Sequence, residues 1–128
     1  MKNREIYEMA LHLLAEPIEE GRLDDYENRA PYLLGGFLYE NRKADACSRE
    51  FNGLEPHGFI GAVYNDLDED FPFVDRFVTA TSYYLASMLV IDENAELSDK
   101  LFGMFCDSMT QITSEIPAIS ESLIDVYW

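Results

Sequence analysis

The sequence predicts an all-α protein, a single compact bundle of four to five helices over residues 1–128. Apolar residues recur at three- and four-residue spacing along most of the chain, as they do on the buried side of a helix. Of the 128 residues, 48% are hydrophobic, which is enough for one core without metal or disulfide support. We find no internal repeat and no linker-like segment, so we expect one helical domain.

The N-terminal region predicts a first helix over about residues 3–15. Pro17 then disfavours a continuous helix. Asp24 or Asp25 offers an N-cap for the next one, because a carboxylate accepts hydrogen bonds from the first free backbone N–H groups. Five apolar residues share one face of the first helix: Ile6, Met9, Ala10, Leu13 and Leu14.

A long second helix is predicted to end at Asn52-Gly53, where glycine allows a left-handed stop. Gly35-Gly36 lies in its middle and costs about 1 kcal/mol per glycine relative to alanine. Either the helix breaks there or another backbone packs closely, and we expect close packing. Residues 59–64 then form a short apolar run that fits an irregular or extended segment or a helical turn. The apolar stripe of the helix consists of Ala30, Leu33, Leu34, Phe37, Leu38, Ala44, Cys47 and Phe51.

The third helix, predicted over about residues 73–91, contains the longest uncharged stretch of the sequence. Pro72 suits a first helical turn, with Asp70 as its cap. The uncharged stretch has 15 residues, from Phe77 to Ile91, and a membrane span needs ~20, so we interpret it as a central core helix. Its second face is made of small residues and would also suit a homodimer interface: Thr79, Ala80, Ser82, Ala86 and Ser87.

A fourth helix is predicted to begin at Ser98 and to end before Pro117, and a short fifth one follows Ser120. Cys47 and Cys106 both lie on apolar stripes, so we expect both thiols in the core. No export signal follows the N-terminus, which predicts a cytoplasmic protein. The stripe of the fourth helix consists of Leu101, Phe102, Phe105, Cys106, Met109 and Ile112.

The most distinctive property of the sequence is its negative charge. Nine Lys and Arg residues against 25 Asp and Glu residues give a formal net charge of −16. Residues 51–128 hold only Arg76 and Lys100 against 14 acids. This balance argues against direct binding of nucleic acid or of an anionic membrane, because both need clustered Lys and Arg. We expect instead a non-enzymatic module that docks a basic protein, as inhibitors, immunity-type proteins and nucleic-acid mimics do.

Two acidic connectors are the predicted contact surface, with carboxylates that we expect to lack counter-ions. An EF-hand calcium loop starting at Asp66 would need Gly and Glu where Phe71 and Phe77 stand, so we do not interpret this segment as a calcium site. Whether the two connectors meet at one end of the bundle is left open by the sequence. The predicted partner-binding residues are Asp66, Asp68, Glu69 and Asp70 in the first connector and Asp92, Glu93 and Glu96 in the second.

Two alternatives belong to other functional classes. Glu8, His12 and Glu16 share one face of the first helix and could bind a metal in a small hydrolase, although an ordinary solvated face explains the same spacing. His57 lies in a loop where a catalytic residue would fit. The other alternative is a structural homodimer through the helix at 73–91. We find no nucleophile elbow and no phosphate-binding glycine motif, and we predict no cofactor.

Overall fold

Four α-helices and one 3-10 turn account for most of the described residues, and no strand occurs among them. The computed structural model describes residues 1–14, 18, 20–56 and 64–116, with the backbone alone at residue 20. The predicted all-α fold is confirmed. The predicted fifth helix and all of the 59–64 run except Tyr64 lie outside the described residues. The helices are α1 (Asn3–Leu13), α2 (Glu20–Phe51), α3 (Val78–Val90) and α4 (Ala95–Ser114), and the 3-10 turn Asp75–Phe77 leads into α3.

The central helix of the bundle is α3, which contacts α1, α2 and α4. It carries no charged residue, and nine of its 13 residues are buried. The small residues predicted as a dimer face are mostly buried within the same chain: Ala80, Ser82, Ala86 and Ser87. A second copy could reach this face only by displacing the chain's own helices.

Aromatic packing joins the helices around Phe37 of α2, which is 1% exposed. Its ring centroid lies 5.4 Å from that of Tyr84 in α3 and 6.0 Å from that of Phe105 in α4. The ring of Phe73, from the segment before α3, lies 5.9 Å away. Tilted and edge-to-face aromatic pairs at such distances are favourable beyond their buried area. This cluster therefore connects three helices and one loop.

The long helix α2 starts earlier than the sequence predicts. It begins at Glu20, so the expectation that Asp24 or Asp25 caps it is wrong. It continues without a break through Gly35-Gly36, and a Cβ placed on Gly36 would meet no atom within 4 Å. Close backbone packing at Gly36 is therefore wrong as well. The predicted end is confirmed: α2 stops at Phe51, and Gly53 has a φ of 69°.

A buried carboxylate in α2 fixes the segment before α3. Asp45, 1% exposed, accepts hydrogen bonds from the Val74 N–H and from Arg49 Nε, each at 2.9 Å. Arg49 Nη2 also donates to the carbonyl oxygen of Pro72 at 2.6 Å. These bonds hold the segment extended along α2, and Val74 has a ψ of 153°. Consequently, Pro72 does not begin the helix and Asp70 does not cap it.

The start of α4 also differs from the sequence-based expectation. Asn94 is the N-cap, and its side chain accepts a hydrogen bond from the Leu97 N–H at 3.0 Å. Ser98 lies inside the helix, where its hydroxyl donates to the carbonyl oxygen of Ser87 at 2.9 Å. The Ser87 hydroxyl donates in return to the Ser98 carbonyl oxygen at 3.0 Å. Ser98 thus joins α4 to α3 and is not a cap.

The outer side of α4 is more exposed than its apolar stripe suggests. Cys106 is exposed and Cys47 is partly buried, so placing both thiols in the core is wrong for Cys106. Phe102 is 43% exposed. The buried residues of α4 form a narrower line than the predicted stripe: Ser98, Leu101 and Ile112. Among the described residues, no helix is both long enough and apolar enough to cross a membrane.

Replacing Asp45 by alanine should lower the free energy of unfolding by about 2–3 kcal/mol, because the Val74 N–H and the Arg49 guanidinium both lose a charged acceptor. Chemical denaturation measures this change. Glu50→Ala, an exposed carboxylate on the same helix, is the control and should stay within about 0.5 kcal/mol of the parent. Similar values for the two variants would contradict the role given to Asp45.

Candidate protein-docking surface

The first acidic connector, residues 65–70, is held in place by the N-terminal residues and by α2. The Asn65 N–H donates to the carbonyl oxygen of Pro31 at 3.0 Å. This is a backbone bond, so this anchor does not depend on the carboxylates of the connector. Three further backbone bonds join residues 1–4 to residues 67–71: Asn3 N to Glu69 O at 3.0 Å, Arg4 N to Leu67 O at 2.8 Å and Phe71 N to Met1 O at 2.8 Å.

The side chain of Asn3 adds a buried contact to the same connector. Asn3 is fully buried, and its Nδ2 donates to the carbonyl oxygen of Asp66 at 2.8 Å and to the side-chain oxygen of Asn65. Sequence reasoning missed this residue, because an asparagine at the start of a helix gives no sign of a partner 62 positions away. The connector is therefore anchored at its first two residues by an uncharged side chain.

Two of the four acids in this connector are compensated by cations from the N-terminus. Asp68 accepts from Arg4 Nε at 3.0 Å, and Asp70 lies 3.0 Å from Lys2 Nζ. The hydrogen bond and charge of Lys2 hold the pKa of Asp70 below its ordinary value. Asp66 and Glu69 belong to no ion pair in the described part of the chain. One carboxylate oxygen of Asp66 accepts from the Asp68 N–H at 2.8 Å.

The predicted second acidic connector, residues 92–96, is not loop throughout, because Ala95 and Glu96 belong to the first turn of α4. One of its three acids is compensated. Glu93 lies 3.2 Å from Arg22 Nη1 and accepts a hydrogen bond from the Tyr26 hydroxyl at 2.7 Å. Burial and the negative charge of Glu93 raise the pKa of Tyr26 above its ordinary value. Asp92 and Glu96 are exposed, and neither is in an ion pair among the described residues. The expectation of acids without counter-ions is therefore wrong for Asp68, Asp70 and Glu93.

The two connectors contact the same third of α2, residues 22–31. The 92–96 connector reaches it through Arg22 and Tyr26. The 65–70 connector contacts it directly at Pro31. Arg4 of α1 adds a bridge, because it binds Asp68 of the connector and also donates from Nη1 to Glu27 of α2 at 2.9 Å. The structure thus places both predicted segments beside one stretch of helix, which the sequence had left open.

A cavity of about 500 Å³, which the sequence did not indicate, lies between the start of α1, α2 and the 65–70 connector. We call it the tyrosine cavity, because Tyr32 and Tyr64 form part of its wall with ring centroids 5.1 Å apart and planes at 77°. No spacing rule could have paired these rings, since their contact depends on the path of the chain between them. The charged residues in its lining are Arg4, Glu27, Asp66 and Asp68.

The tyrosine cavity has a negative lining. One guanidinium and three carboxylates give a formal charge of 1 − 3 = −2 for its lining residues. Arg4 donates to two of those carboxylates, Glu27 and Asp68. Desolvation, followed by the charge of Asp66, raises the pKa of the Tyr64 hydroxyl above its ordinary value. The surroundings therefore disfavour a further negative charge.

Of the residues suggested for metal binding or catalysis, the structure describes only Glu8 and His12. Glu8 and His12 are exposed on α1, and Glu16 lies outside the described residues. His57 lies outside them too. Within the part of the chain that the structure describes, no group of three or more His, Cys, Asp or Glu side chains is arranged to hold a metal ion.

Comparison with known proteins gives no assignment. No protein-family model, no curated protein and no solved structure matches this chain. Function is therefore inferred from the chain's own residues.

Asn3→Ala should lower the free energy of unfolding by about 1–3 kcal/mol, because it removes a buried donor and leaves the Asp66 carbonyl oxygen with one partner fewer. It should also speed hydrogen exchange in the 65–70 connector. Glu8→Ala is the control on the same helix and should change stability by no more than about 0.5 kcal/mol. If exchange in the connector stays at the parent rate, Asn3 does not anchor it.

Tyr7 should make the protein less stable at alkaline pH. Burial, followed by the charge of Glu27, raises its pKa to about 12, whereas an unfolded tyrosine titrates near about 10. The contribution of Tyr7 to stability is complete below the pKa of the unfolded state and is lost as the pH rises from that value through the pKa of the folded state. Between them, unfolding free energy should fall by about 1.4 kcal/mol per pH unit from this group alone.

Tyr7→Phe should remove that part of the slope. Denaturation curves for both proteins at a series of alkaline pH values measure it. Comparing slopes removes any constant packing effect of the substitution. Identical slopes would contradict the assignment.

Proposed function

We propose that this protein is a non-enzymatic, cytoplasmic interaction module that docks a basic protein partner, as an inhibitor, immunity-type protein or nucleic-acid mimic does. The observation that carries the proposal is the 65–70 connector. Its backbone is held by uncharged contacts with the backbone of residues 1–4 and the Asn3 side chain, while Asp66 and Glu69 are left without a cation in the described part of the chain.

Electrostatics supports a basic partner. The net charge of −16 gives the protein a negative field that attracts cationic surfaces and speeds their association. Complementary charge also selects against wrong partners. An enzyme that grips phosphates presents Lys and Arg on its binding surface, so such an enzyme is one partner that this surface would fit.

Preorganisation supports the choice of this connector. A segment that is already held before binding loses less conformational entropy when a partner arrives. The carboxylates of Asp68 and Asp70 are engaged by Arg4 and Lys2, so a partner would have to exchange those ion pairs. We therefore assign the largest contribution in this connector to Asp66 and Glu69, with Asp92 and Glu96 as a second contact.

The cytoplasmic part of the proposal rests on the cysteines. Both Cys47 and Cys106 are free thiols, and one of them is exposed. Unpaired thiols are typical of a reducing compartment.

The test compares two variants of equal charge. Asp66→Asn combined with Glu69→Gln removes two negative charges from the 65–70 connector. Glu50→Gln combined with Asp107→Asn removes two from exposed positions on α2 and α4. Fluorescein-labelled decalysine is the probe, and its anisotropy reports binding.

We expect the connector variant to bind decalysine about fivefold more weakly or worse and the control to lose less than about twofold in affinity. The two variants have the same net charge, so this difference would report the position of the removed charges. Affinity of the parent should also fall steeply between about 20 mM and about 200 mM salt. Equal losses in both variants would show that the probe senses net charge alone, and the docking surface would be rejected.

A further inference from the structure

The tyrosine cavity combines the two features that bind a cationic side chain, aromatic faces and carboxylates. Tyr32 is 56% exposed and Tyr64 is 51% exposed, so both rings can be reached from solvent. The two rings pack edge to face, at an interplanar angle of 77°, so the edge of one ring covers one face of the other. This contact leaves the remaining ring faces free. A guanidinium or ammonium placed over an aromatic face is attracted by the ring quadrupole.

The charge of the lining selects the sign of the ligand. Arg4 is already bound to Glu27 and Asp68 by hydrogen bonds of 2.9 and 3.0 Å, and those partners hold it as a cation. Asp66 has one carboxylate oxygen engaged by the Asp68 N–H and carries no ion pair among the described residues. A cation would therefore reduce the negative charge of the lining, whereas an anion would increase it.

Arginine fits this combination better than lysine. Its planar guanidinium stacks on an aromatic ring and still donates N–H groups to a carboxylate, which a single ammonium cannot do in the same geometry. The chain itself contains this kind of stacking on α2, where the Arg42 guanidinium carbon lies 3.9 Å from the centroid of the Tyr39 ring.

We infer that the tyrosine cavity receives one arginine side chain of the basic partner, with its guanidinium on the rings of Tyr32 and Tyr64 and an N–H donated to Asp66. This inference rests on the proposed function and locates its central contact. A buried arginine at an aromatic pocket is a common energetic centre of a protein interface. The cavity lies directly beside the 65–70 connector, which contributes Asp66, Leu67 and Asp68 to its wall.

The experiment is an NMR titration with Nα-acetyl-arginine methylamide. The citrulline analogue, which has nearly the same shape but no charge, is the ligand control. We expect arginine to produce saturable shifts of the Tyr32 and Tyr64 ring protons and of the Asp66 amide, and citrulline to produce none. Shifts that citrulline reproduces would overturn the inference, and so would saturable binding of inorganic phosphate at Arg4 in place of arginine.

Three variants test the contacts. Tyr32→Leu combined with Tyr64→Leu should weaken arginine binding about fivefold or more, since two cation–π contacts are lost. The matched control Tyr39→Leu, an exposed tyrosine of the same helix, should leave binding within about twofold of the parent. Asp66→Asn keeps the acceptor for the Asp68 N–H and should weaken binding about threefold. Unchanged affinity in the double leucine variant or in Asp66→Asn would overturn the inference.

The two proposals fail separately. If decalysine binding depends on Asp66 and Glu69 but arginine does not saturate the cavity, the cavity assignment falls and the docking function stands. If arginine saturates the cavity but the connector and control variants bind decalysine equally, the docking function falls and the cavity remains a binding site for a free cation.

Discussion

The burial of α3 is the constraint on which the rest of the structure depends. Burial of a helix with no charged residue is favourable on every side, because no charge has to be removed from water. The helices α1, α2 and α4 each contact α3. Those three helices then direct most of their acids outward, and the buried Asp45 of α2 is the exception, held by Arg49 and the Val74 N–H. Much of the large negative charge is consequently placed on outer faces and in connectors, where water solvates it at little cost.

The acidic connectors are organised by neutral contacts first and by ion pairs second. Backbone bonds from residues 1–4 and the Asn3 amide hold residues 65–70, and exposed ion pairs from Lys2 and Arg4 add modest stabilisation. Among the described residues Glu69 makes no ion pair, and the Asp66 carboxylate makes only the hydrogen bond from the Asp68 N–H. Under the proposed function, both are therefore open to the cations of a partner.

The seven acids predicted from the sequence divide according to their neighbours. Asp68, Asp70 and Glu93 are compensated by Arg4, Lys2 and Arg22 respectively. Residues 1–50 hold seven of the nine Lys and Arg residues. The sequence therefore indicates that cations from this part of the chain neutralise some of the acids in the rest. Which of these three acids Lys2, Arg4 and Arg22 meet depends on contacts across 60 or more positions, as for Arg4 and Asp68, and no local rule gives that.

Apolar periodicity by itself determined the helical class and the central position of the uncharged helix, because burial of a repeating stripe depends on local spacing. The Asn52-Gly53 stop was equally local. Only the tertiary structure decided where α3 begins, since Asp45 holds Val74 extended, and only it engaged Ser98 with Ser87. The start of α4 is a local cap by Asn94 that sequence reasoning missed. The tertiary structure alone created the tyrosine cavity as well, because Tyr32 and Tyr64 meet only when the chain between them returns to α2. Local interactions set the elements and some of their ends, and long-range contacts set the start of α3 and the partners of each element.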